Sequence, residues 1–534
     1  FPSLALLVLL VALCTTVANG APCTNILPGL ERQARGVDVT KLDLIPINPV
    51  QSGGGFMSQV TYALPDNVWS TNSIPSGSLA ASTHVLMTSN EVRKSFSVNA
   101  GVDVTTAKFG FSSSFSYSRT QTTLLKNERK VSTVSAAFSS RRVDLVPGNE
   151  LVLDQRAQAA INALPARLAD GRAAYENFLR QYGTHYISEA RFGGIMNVYM
   201  ETESQYLEKT NAEAVSVQAS ATFGSILTVK GGYSSSTTNI DSRFTSATTN
   251  TIRYYGGSAN LLDQNGLSAW MPTIQGDPWL YSTKLNRISD LVRDATKRQA
   301  LSDAIDDYVM RSYVNVELRR VLDTLPSGVK SSDDVTEVKQ RINTMLNKFP
   351  LVESDVESLG NDVMSTYRML IIRYDNTYAQ FSTPNAYDRP VNFECPPGKT
   401  ITGIKSWHLN YHEDRQWQFK CGYTPNLYPL ANCRWSGYVN EYDAVVNYKC
   451  PGTSAIKGWY SVHYNRREDR RYKFMCCDIQ GLGETNCAWS SYKNSWDGPM
   501  DFSYCPSEKY INGAYSYHSN HHEDRRWQFY VCTV

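Results

Sequence analysis

The chain has 534 residues, too many for one hydrophobic core of ordinary size, so two or three domains are expected. At 42% hydrophobic and 11% aromatic residues it is not a mainly disordered chain. Lys and Arg number 52 against 50 Asp and Glu, so overall charge selects neither nucleic acid nor an anionic membrane as partner.

Residues 1–20 open with an apolar run and end in small residues, with Ala18 and Gly20 ahead of a cut before Ala21. They read as a secretory signal peptide carrying Cys14, and the mature chain as a secreted, extracellular protein. No later run reaches the roughly 18 consecutive apolar residues of a spanning helix. Any entry into lipid would therefore use a closed β-barrel.

Two segments alternate apolar and polar residues with period two. The first runs through Phe96, Val98, Ala100, Val102 and Val104, then Ala107, Phe109, Phe111, Phe115 and Tyr117. The second runs through Val215, Val217, Ala219, Ala221, Phe223, Leu227 and Val229. Both exceed the usual strand of five or six residues, and their polar phases are rich in small hydroxyl residues. An ordinary half-buried sheet and a set of membrane-crossing strands both fit, since about 9–11 residues suffice to cross. Lys108 and Lys230 fall on the polar phase, which favours crossing.

Between these segments stands "YGTHYISEARFGG", Tyr182 to Gly194. No Cys, Asp or Glu lies near His185 at ligand spacing, so it reads as a buried framework residue. Gly193 and Gly194 lack a Cβ and tolerate a sharp bend or a torsional change. Gly256 and Gly257 are a second flexible point or a static bulge. Further on, Val335, Val338, Ile342, Met345 and Phe349 follow helical spacing behind Ser332 as N-cap, within a helical connector over 326–380.

Residues 381–534 are an internal repeat. "NAYDRPVNFEC", "NEYDAVVNYKC" and "NSWDGPMDFSYC" open three copies, and His408, His463 and His518 recur 55 residues apart near their ends. After each Glu-Asp-Arg, aromatic residues alternate as in a half-buried strand, for example Trp417 and Phe419. Nine of the 11 cysteines lie here, as in a small extracellular unit held by bridges. The natural pairings are Cys395 with Cys421, Cys450 with Cys476 and Cys505 with Cys532, leaving Cys477 to meet Cys487. Cys23 and Cys433 then pair with each other or with a separate chain. Within each copy the expected ion pairs are Asp414 with Arg415, Asp469 with Arg470 and Asp524 with Arg525. His518, His521 and His522 lie close together but lack the HExxH pattern, and the middle copy loses two of these histidines, so no metal is expected. The seven Trp residues from Trp407 to Trp527 are mostly core, with exposed ones suited to sugar rings or a membrane surface.

The motif Tyr182, Gly183, Thr184, His185 and Tyr186, followed after six residues by Gly193 and Gly194, resembles the signature of the membrane-attack-complex/perforin (MACPF) family at every signature position. "PGLERQARGVDVT" and "SAWMPTIQGDPWLY" are similar to that family's entry and closing segments, so the resemblance covers about 23–325 within a domain drawn at 21–325. It implies an α+β fold: a bent four-stranded antiparallel sheet flanked by two helical clusters, here about 90–140 and 200–250. On activation those clusters become two β-hairpins per subunit in a ring-shaped pore. The resemblance makes Gly193 and Gly194 act at the bend, and the two alternating segments the membrane-inserting face. The closing segments typified by "EDRRWQFY" resemble dermatopontin, which implies a small disulfide-rich all-β module that binds matrix, partner or glycan. The combination is similar to MACPF toxins of invertebrate eggs and body fluids, and implies a disulfide-linked lectin-type partner held by Cys23 or Cys433. A secreted cytolytic pore former or immune effector is the leading reading. A non-lytic adhesion, matrix- or glycan-binding protein is the alternative. No nucleophile elbow, phosphate loop or zinc signature points to an enzyme, and no cofactor is expected.

Overall fold

The computed structural model describes residues 36–42, 68–73, 79–86, 89–126, 129–145, 151, 153, 155–231, 239–258, 260, 266–504 and 508–534. The expectations for residues 1–20, Cys14, Cys23 and Cys505, and for the side chains of Phe115, Val229 and Lys230, lie outside them. Among the described residues no helix is long and apolar enough to cross a membrane.

The first half is built on two long strands, β4 (Arg129–Leu145) and β5 (His185–Glu203), paired antiparallel from Arg129↔Glu203 to Asp144↔Glu189. Each outer position of the sheet is shared by two strands. β3 (Leu79–Leu86) and β2 (Val68–Ser73) occupy successive parts of β4, while β6 (Thr248–Tyr255) and β7 (Trp279–Arg287) divide β5 between them. The result is a four-stranded antiparallel sheet whose edges are interrupted at one level. Phe138↔Gly194 and Ser139↔Gly193 lie at that level, beside a register shift between Ser139 and Arg141. β1 (Gly36–Val37) adds two residues against Tyr186 and His185.

Strand periodicity decides what each face receives. Met196, Val198 and Met200 project into one core and Tyr199, between them, packs against the other, because successive side chains in a strand leave opposite faces. Against the first face lies α7 (Ala212–Gly231), near α6 (Ser204–Glu208) and α8 (Ser242–Ala247). Against the other lie α1 (Ser89–Ala100), α2 (Val104–Phe109) and α3 (Phe115–Lys126). α4 (Gln155–Ala163) and α5 (Arg172–Tyr182) join the same core, and α9 (Leu267–Trp270) caps the interrupted edge.

α10 (Ala295–Ser312) and α11 (Leu318–Asp323) close the first part of the chain, and over 326–380 follow α12 (Asp333–Asn347) and α13 (Glu353–Tyr378). α12 starts where Ser332 accepts a hydrogen bond from Val335 N, and it buries Val335, Val338, Ile342 and Met345. Phe349 lies beyond its last turn.

The C-terminal module consists of β8 (Val391–Glu394), β9 (Lys399–Leu409), β10 (Asp414–Tyr423), β11 (Leu430–Trp435), β12 (Val446–Lys449) and β13 (Ser454–Tyr464), then β14 (Asp469–Ile479), β15 (Asn486–Trp489), β16 (Met500–Ser503), β17 (Lys509–Ser519) and β18 (Asp524–Thr533). Each copy supplies one hairpin: β9–β10, β13–β14 or β17–β18. Each hairpin also takes the opening strand of another copy: β8 joins β13, β12 joins β17 and β16 joins β9. This cyclic exchange closes a pseudo-threefold unit. Trp417, Tyr472 and Trp527 meet at its centre, with ring separations of 6.3, 5.3 and 4.9 Å.

Among the described residues the bridges are Cys395–Cys421, Cys450–Cys476, Cys433–Cys477 and Cys487–Cys532. Two expected pairings are thereby corrected. Cys532 lies directly opposite Cys487 in the β15–β18 register, which excludes both Cys505–Cys532 and Cys477–Cys487. Cys433 is held on β11 against β14 by Cys477, so it is not a link to another chain or to Cys23.

Candidate functional site

The motif at residues 182–186 joins three elements. Tyr182 ends α5 inside the core, and Gly183 follows with φ +85° while a Cβ there would come within 2.7 Å of Val37 N. Only glycine meets both demands. Thr184 Oγ1 accepts from Val39 N at 3.1 Å and donates to Val37 O at 3.0 Å, tying the β1 segment down. His185 is fully buried, with Nδ1 2.9 Å from Thr184 Oγ1 and Nε2 3.1 Å from Asp103 Oδ2. Asp103 is the N-cap of α2 and also binds Arg287 Nη2 at 2.8 Å, and Arg287 reaches Asp306 at 2.6 Å. The sequence reading missed this carboxylate because it stands 82 positions away from His185.

At the interrupted level of the sheet, a Cβ on Gly194 would lie 2.4 Å from Ile274 Cδ1 and 2.7 Å from the Trp270 ring. The segment from α9 to Gln275 thus wedges directly onto the glycine pair. Gly256, at φ +83°, brings its Cα within a Cβ's reach of Gly193 O, and Trp270 Nε1 donates to Gly256 O at 2.8 Å. The four glycines expected at a hinge therefore converge on one packed joint.

The two alternating segments lie in helical clusters in this conformation, as the resemblance implies, and what is corrected is the reading of them as an ordinary half-buried sheet. In a helix, residues i and i+2 diverge by about 200°, so a period-two pattern cannot form one face. The burial follows accordingly. Phe96, Phe109, Phe111, Val215, Ala219, Phe223 and Leu227 are buried, Val102 and Ala221 are half-buried, and Val98, Val104 and Val217 are 66%, 71% and 48% exposed. The limits also tighten: residues from 129 onward belong to β4 rather than to the first cluster, and those up to 203 belong to β5 rather than to the second.

Both clusters are clamped by the C-terminal half of the chain. In the first, Lys108 Nζ lies 2.5 Å from Glu353 and 3.0 Å from Glu357 on α13, and Arg93 lies 2.6 Å from Glu317, which also accepts from Tyr117 OH at 3.0 Å. In the second, Glu208 at the end of α6 is buried against the module. Its Oε2 is 2.9 Å from Lys457 Nζ on β13, and its Oε1 accepts from Gly398 N. Lys457 is fully enclosed and donates to Pro396 O at 2.8 Å. Burial lowers its pKa, with Glu208 pulling the other way. Lys209 adds an outer pair with Glu394 at 3.0 Å.

Within the module, the ion pairs expected inside each copy form between copies instead. Arg415 bonds Asp524, Arg470 bonds Asp414 and Arg525 bonds Asp469, each through Nε and Nη2 at 2.6 to 2.7 Å. Asp414 and Arg415 are neighbours on one strand and leave it on opposite faces, so each takes its partner from an adjacent copy. The three pairs form a closed buried ring. Of the seven Trp residues only Trp417, Trp459 and Trp527 are core; Trp407, Trp489 and Trp496 are half-buried and Trp435 is exposed at 38%, which corrects the expectation that most are core.

The MAC/Perforin domain family model matches residues 35–317, and the dermatopontin model matches 385–534. The chain belongs to the MAC/Perforin family. With it the bent sheet and its flanking clusters acquire a family context, as does the disulfide-rich β module behind them. Perivitellin-2 67 kDa subunit of Pomacea canaliculata is 30% identical over 371 residues, 66% of this chain. The chain spans 65% of the length of that relative. Hemagglutinin/amebocyte aggregation factor of Limulus polyphemus is 37% identical over 173 residues, 32% of this chain and 98% of its own. Among solved structures, GNIP1Aa from Chromobacterium piscinae covers 92% of this chain and 76% of its own, at 14% identity and a TM-score of 0.43.

The network at the MAC/Perforin signature is sensitive to acid. Burial would raise the Asp103 carboxyl, yet hydrogen bonds from His185 and Arg287 hold it far below its ordinary value of 3.8. A depressed carboxyl stabilises the fold above its unfolded pKa and loses that contribution as pH falls towards its folded pKa. Below about pH 4, protection of the α2 amides relative to their intrinsic exchange rate at each pH is expected to fall, and Asp103→Asn is expected to remove most of that fall. Protection in α2 that is unchanged down to pH 3 would contradict this role for Asp103.

Proposed function

We propose that this protein is an extracellular, non-enzymatic pore former that assembles into a ring on a target membrane and inserts two β-hairpins per subunit. The hairpins form from 89–126 and 204–247, with Phe96, Val98, Val102, Val104, Phe109, Phe111, Phe115, Val215, Val217, Ala219, Ala221, Phe223, Leu227 and Val229 on the lipid side. The observation that carries this reading is the conflict between period and conformation. Both segments keep an alternation that only a strand can use, and as helices they expose Val98, Val104 and Val217 to water.

The glycine joint of residues 193, 194, 256 and 257 is the hinge in this reading, where the sheet straightens as the α9 wedge lifts. The C-terminal module selects the target surface, a membrane lipid or glycan, and also holds the second cluster through Glu208 and Lys457. The cytotoxin and hemagglutinin names carried by relatives of the module support a target-binding role. Domain limits of 21–325, 326–380 and 381–534 fit this division of labour. A lectin-type partner chain, if disulfide-linked, would not use Cys433, which is engaged with Cys477.

Dye release from liposomes tests the reading, using the purified chain under non-reducing conditions and vesicles with or without extracted target-cell glycolipid. Rapid release is expected, faster with the glycolipid. Tight binding without release would favour the non-lytic adhesion reading.

A further inference from the structure

We propose that the module binds divalent cations of the zinc class at two of its three repeat junctions. One site is formed by His463, Asp388 and Asp414, and the other by His518, Asp443 and Asp469. In each set, one ligand atom per residue lies within 4.8 Å of the other two. The sites share only His518 with the histidine cluster at 518–522 visible in the sequence, because each takes one histidine from one copy and two aspartates from the copy before it.

The first junction is the better formed. The His463 side chain is fully enclosed, and neither ring nitrogen has a hydrogen-bond partner among the described residues. Its Nδ1 lies 3.4 Å from Asp388 Oδ1, itself a buried oxygen without a partner among the described residues. That separation equals the edge of a tetrahedron with metal–ligand bonds of about 2.1 Å, the length zinc makes with imidazole and carboxylate. The Asp388 carboxylate is aimed by its other oxygen, which faces His412 Nδ1 at 3.1 Å, and its backbone N–H is fixed on Asp414 Oδ2 at 2.9 Å. Asp414 is shared with Arg470, so it is the supporting ligand and Asp388 brings the uncommitted charge. Burial lowers the pKa of His463, leaving a lone pair available at neutral pH.

The second junction repeats the plan. Asp443 Oδ1 lies 3.7 Å from His518 Nδ1 while its Oδ2 is held by Arg467 at 3.0 Å, and one carboxylate oxygen of Asp469 completes the set within 4.8 Å. His518 Nδ1 also faces Asn520 at 3.0 Å, so this site is the weaker one. At the third junction His408 Nε2 stands 3.9 Å from Asp497, and no site is assigned there. One imidazole with two carboxylates is a borderline donor set that suits zinc better than the all-oxygen shells of calcium or magnesium. A cation at a junction would tie two copies together beside the buried Asp–Arg ring.

The test is equilibrium dialysis of the full chain against zinc chloride alone. Two ions per chain are expected, one after Asp388→Asn and none after Asp388→Asn with Asp443→Asn. Asparagine keeps the backbone N–H that bonds Asp414 or Asp469, and tryptophan fluorescence checks that the module stays folded. Zinc retention by the double variant equal to that of the parent chain would overturn the proposal. So would retention lost only when His521 and His522 are replaced by Gln.

Discussion

Replacing Lys457 by Met will loosen the second cluster without unfolding the rest of the chain. Lys457 is enclosed in β13 and stands 2.9 Å from Glu208, the last residue of α6. Removing the ammonium takes away the direct partner of a buried carboxylate and leaves Lys130 as its neighbouring cation; breaking such a buried pair costs about 3–5 kcal/mol. Gly398 N still donates to Glu208 Oε1, so part of the carboxylate's solvation survives and the lower end of that range is expected. Glu208→Gln in the same chain removes the stranded charge and keeps an acceptor for Gly398, so the double variant should recover most of the loss. The readout is hydrogen exchange over 204–231 together with a urea midpoint. Faster exchange confined to that segment, reversed in the double variant, is the expected result. An unchanged midpoint and unchanged exchange would mean that the module does not hold the cluster.

The consequence for function follows from where the clamp lies. Glu208 sits at the joint between β5 and the helices that follow it, where a hairpin would begin to extend. Lys108 and Arg93 hold the first cluster to the connector and α11 region in the same manner, through Glu353, Glu357 and Glu317. The C-terminal half thus contacts both segments through these ion pairs, and in the proposed function it would keep them folded until a target surface is reached.

Some of this was legible in the residues themselves. The helix at 333–347 is written in Ser332 and the spacing of Val335, Val338, Ile342 and Met345, because capping and amphipathic periodicity are local. The threefold build of the module is written in the repeated openings and in the 55-residue period of His408, His463 and His518. The partners across copies are not local. Nothing in "HEDR" says that Asp414 bonds Arg470 rather than Arg415, because only the exchange of strands between copies brings those two faces together. The third disulfide misled for a related reason: Cys505 to Cys532 repeats the spacing of Cys395 to Cys421 with one extra residue, yet β15 places Cys487 directly opposite Cys532. Lys457 carried a signal that went unread, a lysine in the apolar strand "SAIKGWY", where an enclosed charge demands a partner. Gly194 was read for a bend, and the structure adds a tighter demand, the Trp270 and Ile274 side chains occupying the space of its Cβ.

Hairpin insertion would require the second cluster to leave the sheet, and Thr83 and Ser220 offer a direct way to forbid that. Thr83 Oγ1 on β3 lies 2.8 Å from Ser220 Oγ on α7. A Thr83→Cys, Ser220→Cys chain, oxidised to the disulfide, ties α7 to the sheet, and each single variant with its thiol alkylated serves as control under the same non-reducing conditions. Dye release from liposomes by the controls, with at least a tenfold slower rate for the oxidised double variant at equal membrane binding, is what hairpin release predicts. Full-rate release by the oxidised double variant would contradict it.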